Sequence, residues 1–248
     1  MIYRKSPEEL AVMRRGGRIL AGALERLGEM IVPGATSNQL DAAFAEILAE
    51  AGATASFKGY NGFPAHICAS PDDVIVHGFP NDDPLQEGSV ISIDLGVLYQ
   101  GFHTDSAWTF PVGAVGPQVS LLLEVTQAAL RAGIAQATEG NRVGDIGAAI
   151  EAVVQPSGFE LVQEYAGHGV GRSLHEDPWV PNFGPPGKRE KLASGMTLAI
   201  EPMVNMGSPD AITWADGWTV ATADGSISAH FEHTIAVTSE APLILTTR

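Results

Sequence analysis

Cysteine is nearly absent from this 248-residue chain: Cys68 stands alone, so no intramolecular disulfide can form. Basic side chains are scarce as well, 14 against 29 acidic ones, and a net charge of -15 repels a phosphate backbone over most of the surface. Nucleic acid is therefore excluded as an expected partner. Long apolar runs are missing too, because Glu, Arg or Gly interrupts each stretch before it could cross a bilayer. The opening Met1-Ile2-Tyr3-Arg4-Lys5-Ser6-Pro7 has no apolar signal segment behind it. The expectations are no membrane and a cytoplasmic address. What the chain does have is 45% hydrophobic residues, enough for a sizeable core.

Ser6-Pro7-Glu8-Glu9 reads as a capping box with proline at the first helical position, and Leu10, Met13, Ile19, Leu20, Leu24 and Leu27 recur at helical spacing up to Pro33-Gly34. Thr36 or Ser37 caps a second helix, with Leu40, Phe44, Ile47 and Leu48, that stops at Gly52. A helical pair returns later, marked by Leu121, Leu122, Val125, Leu130 and Ile134, then by Ile146, Ile150, Val153 and Val154 before Gly158. Sliding the chain by 106 residues lays Gly34 on Gly140, Leu40 on Ile146, Phe44 on Ile150, Ile47 on Val153 and Gly52 on Gly158. At 107, the strand ending in Asp94 falls on the strand ending in Glu201. Two copies are too few for a solenoid. The expected architecture is a single domain over 1–248, of two pseudo-symmetric α/β halves, about 6–112 and 117–238, meeting in a shared sheet.

Val90 to Leu98 and Phe102 to Val112 read as a hairpin. With the turn at Tyr99-Gln100, Asp94 and Asp105 stand directly opposite, their Cβ atoms roughly 5 Å apart; a looser turn makes them diagonal neighbours. Two buried carboxylates so close share a proton or hold a cation. Glu201 and Glu232 carry the same need, the duplication pairing Asp94 with Glu201 and strand order pairing Asp105 with Glu232. Four convergent carboxylates call for cations, and the glycines around His168 in Gly167-His168-Gly169-Val170-Gly171 let backbone and metal approach its imidazole. Carboxylate oxygens with one imidazole suit Mn, Fe, Co or Zn, and an acid-rich set serves two ions roughly 3.5–4 Å apart.

In order and spacing, several segments resemble the type I methionine aminopeptidases of the pita-bread metallopeptidase fold. They are Val76-His77-Gly78-Phe79-Pro80 with Asn81-Asp82, Ile93-Asp94-Leu95-Gly96, His103-Thr104-Asp105-Ser106, Gly167 to Gly171, Leu174-His175-Glu176-Asp177-Pro178, Glu201-Pro202, Asp216-Gly217-Trp218-Thr219 and Glu232-His233-Thr234. The resemblance runs from about Ser6 to Thr238 and implies an α/β fold with a mainly antiparallel sheet. It implies five metal ligands, Asp94, Asp105, His168, Glu201 and Glu232, and two divalent ions, with Co, Mn, Fe and Zn all compatible. His77 and His175 match the family's catalytic histidines that bind no metal, and Glu201 its proton shuttle. The activity implied is removal of the initiator methionine from nascent polypeptides, preferentially before a small second residue, by a monomer that meets its substrate near the ribosome. No cysteine-rich or basic extension of the kind some relatives use as an anchor is evident.

The resemblance also implies a methionine pocket of Tyr60, Phe63, Cys68 and Trp218, with Phe57 and Leu174 at matching positions. An aromatic and sulfur-lined cavity suits a thioether. Phe57 stands where relatives often have a smaller residue, and Leu174 where phenylalanine is common, so the expectation is a reshaped pocket that still takes methionine. His230 replaces a polar amide two residues before Glu232. Three rivals fit less well. Proline-cleaving relatives carry a large N-terminal domain for which there is no room before the first helix. Type II enzymes insert a helical subdomain between the last two ligands, whereas Glu201 and Glu232 are only 31 residues apart. A binding module without catalysis would keep a costly cluster of buried charge for no reaction.

Overall fold

The computed structural model describes residues 1–248, and no helix in it is long and apolar enough to cross a membrane. Helix α1 spans Pro7–Met30, and Ser6 and Glu9 cap it reciprocally: Glu9 N–H donates to Ser6 Oγ at 3.3 Å and Ser6 N–H to the Glu9 carboxylate at 2.9 Å. Helix α2, Ser37–Ala51, is capped by Thr36 and ends at Gly52, whose φ of 62° closes the last turn in the left-handed region. Helices α3 (Pro117–Gln136) and α4 (Val143–Val154) form the second pair. Thus α1 stops three residues before Pro33-Gly34, with Ile31 as its cap.

The duplication reappears as repeated hydrogen bonds. Thr36 N–H donates to Gln39 Oε1 at 3.0 Å, and Arg142 N–H, 106 residues on, to Asp145 Oδ2 at 2.7 Å. Gly34 donates to Leu85 O and Leu85 to Ala35 O, as Gly140 does to Leu192 O and Leu192 to Asn141 O, and Gly88 donates to Val112 O as Gly195 does to Val237 O. In the first half, α1 and α2 bury Leu20, Leu27, Leu40 and Phe44 against Ile91, Ile93 and Leu95. In the second, α3 and α4 bury Leu122, Leu130, Ile146 and Ile150 against Leu198, Ile200, Phe231 and Ile235. Helices thus cover one face of the strands, and side-chain alternation sends Asp94 to the other.

Every strand pairing is antiparallel. In the first half, the Val90–Tyr99 strand pairs with Ile67–Pro71 on one side and Phe102–Pro111 on the other. In the second, the order is Leu243–Ile244, His233–Ala236, Thr197–Ile200, Gly167–Gly169 and, at the edge, Glu176–Val180. The halves meet where Phe102–Pro111 passes residues 230–234: Glu232 N–H donates to Ala107 O at 2.9 Å, and Asp105 N–H to Thr234 Oγ1 at 2.9 Å.

One open choice is decided and three local expectations are corrected. The hairpin turns at Gln100-Gly101, with φ of 49° and 83°, and not at Tyr99-Gln100. Asp94 therefore faces Ala107 and Asp105 faces Gly96, which leaves the two aspartates as diagonal neighbours on one face. Asp94 lies mid-strand, whereas the equivalent second-half ladder breaks after Ile200 because Pro202 has no N–H to offer it. The facing chain breaks at Phe231-Glu232, so the expected final strand over 229–237 is two, Ser228–His230 and His233–Ala236. Finally, His233 pairs with Ile200 and Met203 with His230, which makes Ala107, not Asp105, the symmetric counterpart of Glu232, and His230 that of Asp105.

Candidate metal centre and apolar pocket

Asp94, Asp105, His168, Glu201 and Glu232, drawn from five separate stretches of chain, line one cavity of about 270 Å³. Asp105 and Glu232 arrive through the bonds that join the halves. Glu201 and Glu232 emerge from the paired breaks in the ladder. One acceptor of Asp105, His168 and Glu232 each lies within 4.8 Å of the others. His168 Nε2 is 3.6 Å from Glu201 Oε1 and 3.9 Å from Asp105 Oδ2, while Nδ1–H donates to Gly169 O at 2.8 Å. That last bond fixes the tautomer and leaves the Nε2 lone pair facing the carboxylates.

Burial dominates the electrostatics. It lifts the Asp94 carboxyl to about 7 and Glu201 to about 8. Burial together with the neighbouring carboxylates raises Asp105 and Glu232 well above the usual range. His168 is driven the other way, to about 3, first by burial and then by His175, so its imidazole is neutral. Three carboxylate oxygens here, Asp94 Oδ1, Asp105 Oδ1 and Glu232 Oε1, are buried without a hydrogen-bond partner, as is His230 Nε2.

The expected pocket residues assemble beside this cluster. Phe57, Phe63, Cys68 and Leu174 form a compact buried group, with Tyr60, Phe79 and Trp218 packed on it. Phe63 meets Phe57, Phe79 and Trp218 edge-on at centroid distances of 6.4, 5.3 and 5.2 Å. Cys68 pairs across the sheet with Asp94, so its thiol stands between the pocket floor and the carboxylates; burial, reinforced by Asp94, keeps it protonated. The two histidines flank the cavity. His175 is exposed, and its Nδ1 lies 2.8 Å from the Tyr60 hydroxyl. His77 has a φ of 62°, a conformation unusual for a residue with a Cβ, and Gly78 follows it because a Cβ there would lie 2.3 Å from Ala69 O. Burial lowers His77 to about 4, with His230 and His175 adding to the effect.

The sequence profile of metallopeptidase family M24 matches residues 11–239. The chain belongs to that family. Among its M24 relatives, methionine aminopeptidase 1 of Bacillus subtilis is 49% identical over 246 residues, 99% of each chain, and the methionine aminopeptidase of Clostridium perfringens is 47% identical over the same shares. The crystal structure of methionine aminopeptidase from Thermotoga maritima superposes with a TM-score of 0.98 at 41% identity, covering 100% of both chains. The prolidase of Pyrococcus furiosus, at 20% identity and a TM-score of 0.80, covers 99% of this chain and 65% of its own and shares the fold alone.

For an M24 metallopeptidase the orphaned oxygens have a ready meaning. Buried acceptors without donors are costly, and four buried carboxyls with one lone-pair imidazole are a hard, oxygen-rich donor set that fits divalent metal. Sequence reasoning missed Tyr165, which packs edge-on to His77 at 5.8 Å, and the cavity-lining Val76, Met203 and Trp179. Val76, Met203 and Trp179 are carried there by strands and Tyr165 by the loop before Gly167–Gly169, placements that depend on long-range pairing. His230 did carry a signal, its place two residues before Glu232, and its Nε2 lies 3.6 Å from Glu201 Oε2.

Proposed function

We propose that this chain is a methionine aminopeptidase, working as one catalytic domain, that hydrolyses the first peptide bond of chains beginning with methionine. The observation that carries the reading is the adjoining of two environments: an apolar pocket of Phe57, Phe63, Cys68 and Leu174 opens directly onto the orphaned carboxylates. The pocket suits a flexible thioether side chain. The cluster beside it suits the amine and carbonyl of the same residue.

Asp94, Asp105, His168, Glu201 and Glu232 would hold two divalent ions, for which Mn, Fe, Co and Zn all accept this donor set. When bound, the ions supply Lewis acidity at the scissile carbonyl and acidify the attacking water. Glu201 then takes the proton of that water and delivers it to the leaving amine, so water oxygen bonds to the carbonyl carbon as the C–N bond breaks. The Tyr60 hydroxyl lies 2.8 Å from His175 Nδ1, and by donating to it would leave the ring proton on Nε2 for the developing oxyanion. His77, neutral at physiological pH, orients the amide beyond the cleaved bond.

The expected substrates are nascent polypeptide N-termini with a small second residue, met in the cytoplasm near the ribosome by a monomeric enzyme. The test is release of methionine from Met-Ala-Ser and from its N-acetylated form, using chelator-stripped protein with Mn, Co, Fe or Zn restored singly. Metal-dependent release from the free-amine peptide alone supports the reading. Silence with every metal refutes it.

A further inference from the structure

Trp179 is 54% exposed, and among the large apolar side chains that are more than a third exposed it alone lines the cavity. An indole left in water holds on the order of 100 Å² of apolar surface, and at the cavity mouth a bound chain can cover it. Its position is fixed by the sheet. Trp179 pairs across the ladder with His168, so both side chains emerge on the same face. The Glu176–Val180 strand that carries it is the outer strand of its sheet, and His175, beside the cavity, immediately precedes that strand.

A substrate held by its amine at the carboxylate cluster and by its methionine side chain in the apolar pocket must leave through the mouth. Along an extended chain the third residue lies about 7 Å beyond the scissile carbonyl. A cross-strand neighbour of His168 stands about 5 Å from it, and an indole reaches roughly 6 Å further. The second residue, proposed above to be small, cannot cover an indole within that reach, so the third is the first whose side chain can lie on the ring.

We propose that Trp179 forms a subsite for an apolar or aromatic side chain at the third position of the substrate. The inference rests on the aminopeptidase reading and adds a preference that the metal cluster and methionine pocket do not supply. The subsite is continuous with the cavity, so the occupant is the remainder of the molecule already bound there.

The experiment measures kcat/KM for Met-Ala-X-Ser peptides with X as Phe, Leu, Gly or Asp, for the metal-loaded wild type, Trp179→Gln and Trp179→Phe. The wild type should favour Phe over Gly by about three- to tenfold, mainly through KM. Trp179→Gln should flatten that ratio, and Trp179→Phe should restore part of it. Equal ratios in the wild type and Trp179→Gln would overturn the subsite while leaving the aminopeptidase reading intact. No methionine release from any peptide would overturn that reading and the subsite with it. A flat ratio accompanied by self-association that Trp179→Gln abolishes would reassign the indole to a contact between copies, against the subsite.

Discussion

Chelator-stripped protein titrated with Mn(II) near pH 7 is expected to release more than one proton as its carboxylate cluster fills. In the metal-free protein Asp94 is lifted to about 7 and Glu201 to about 8, both mainly by burial. At neutral pH these values leave about half a proton on the first and about nine-tenths on the second. Asp105 and Glu232 are raised as well, by burial first and then by neighbouring carboxylates, and add to that number. His168 contributes none, since burial has already neutralised it. Every carboxyl must ionise to accept a cation, so these protons leave, and apparent metal affinity should rise steeply between pH 6 and 8. Isothermal titration in buffers of different ionisation heat at one pH gives the proton number directly. Release of fewer than one proton would mean that the carboxyls are already ionised and solvated in the free protein, and the burial argument would fail.

The same raised values predict that metal-free protein is most stable below about pH 4 on this account and loses stability as pH rises to about 8, because the folded state holds protons the unfolded chain gives up. Melting curves over that range should show the decline, and added metal should abolish it. Glu201→Gln should lower kcat by about 10²–10⁴ while circular dichroism stays unchanged; full activity would remove Glu201 as the proton carrier. Phe57→Ala empties a buried wall of the pocket, so we expect a loss of about 3 kcal/mol in urea unfolding and a raised KM for Met-Ala-Ser. Gly169→Ala would put a Cβ 2.1 Å from Asp177 O, which should displace the segment carrying His175 and cut turnover well before it affects the far half; a wild-type rate would contradict that.

Local signals in the sequence marked the helices well because capping is local: Ser6-Pro7-Glu8-Glu9 and Thr36 to Gln39 satisfy their own backbone groups. The four acids and His168 were visible for a different reason, since strand-borne carboxylates in repeated halves have few innocuous explanations. Their mutual geometry was not visible. Gln100-Gly101 and Tyr99-Gln100 are neighbouring choices of turn, and the choice moves the partner of Asp105 by two residues, from Asp94 to Gly96, although the glycine in second place favours the turn observed. The break at Glu232 originates across the sheet at Pro202, and Trp179 gains its place by pairing with His168, eleven positions earlier in the chain. These are long-range consequences that composition and periodicity do not encode.

Asp94 and Asp105 belong to one half of the molecule, His168, Glu201 and Glu232 to the other, and Glu232 reaches its place through a bond to Ala107 across the seam. Neither half alone can present the proposed donor set, so the seam must close before the cluster exists. During refolding, ion capture should therefore be among the last events, its rate set by the docking of two preassembled halves and not by the formation of any helix or hairpin. A refolding chain trapped with one half misassembled would keep its secondary structure and hold metal weakly.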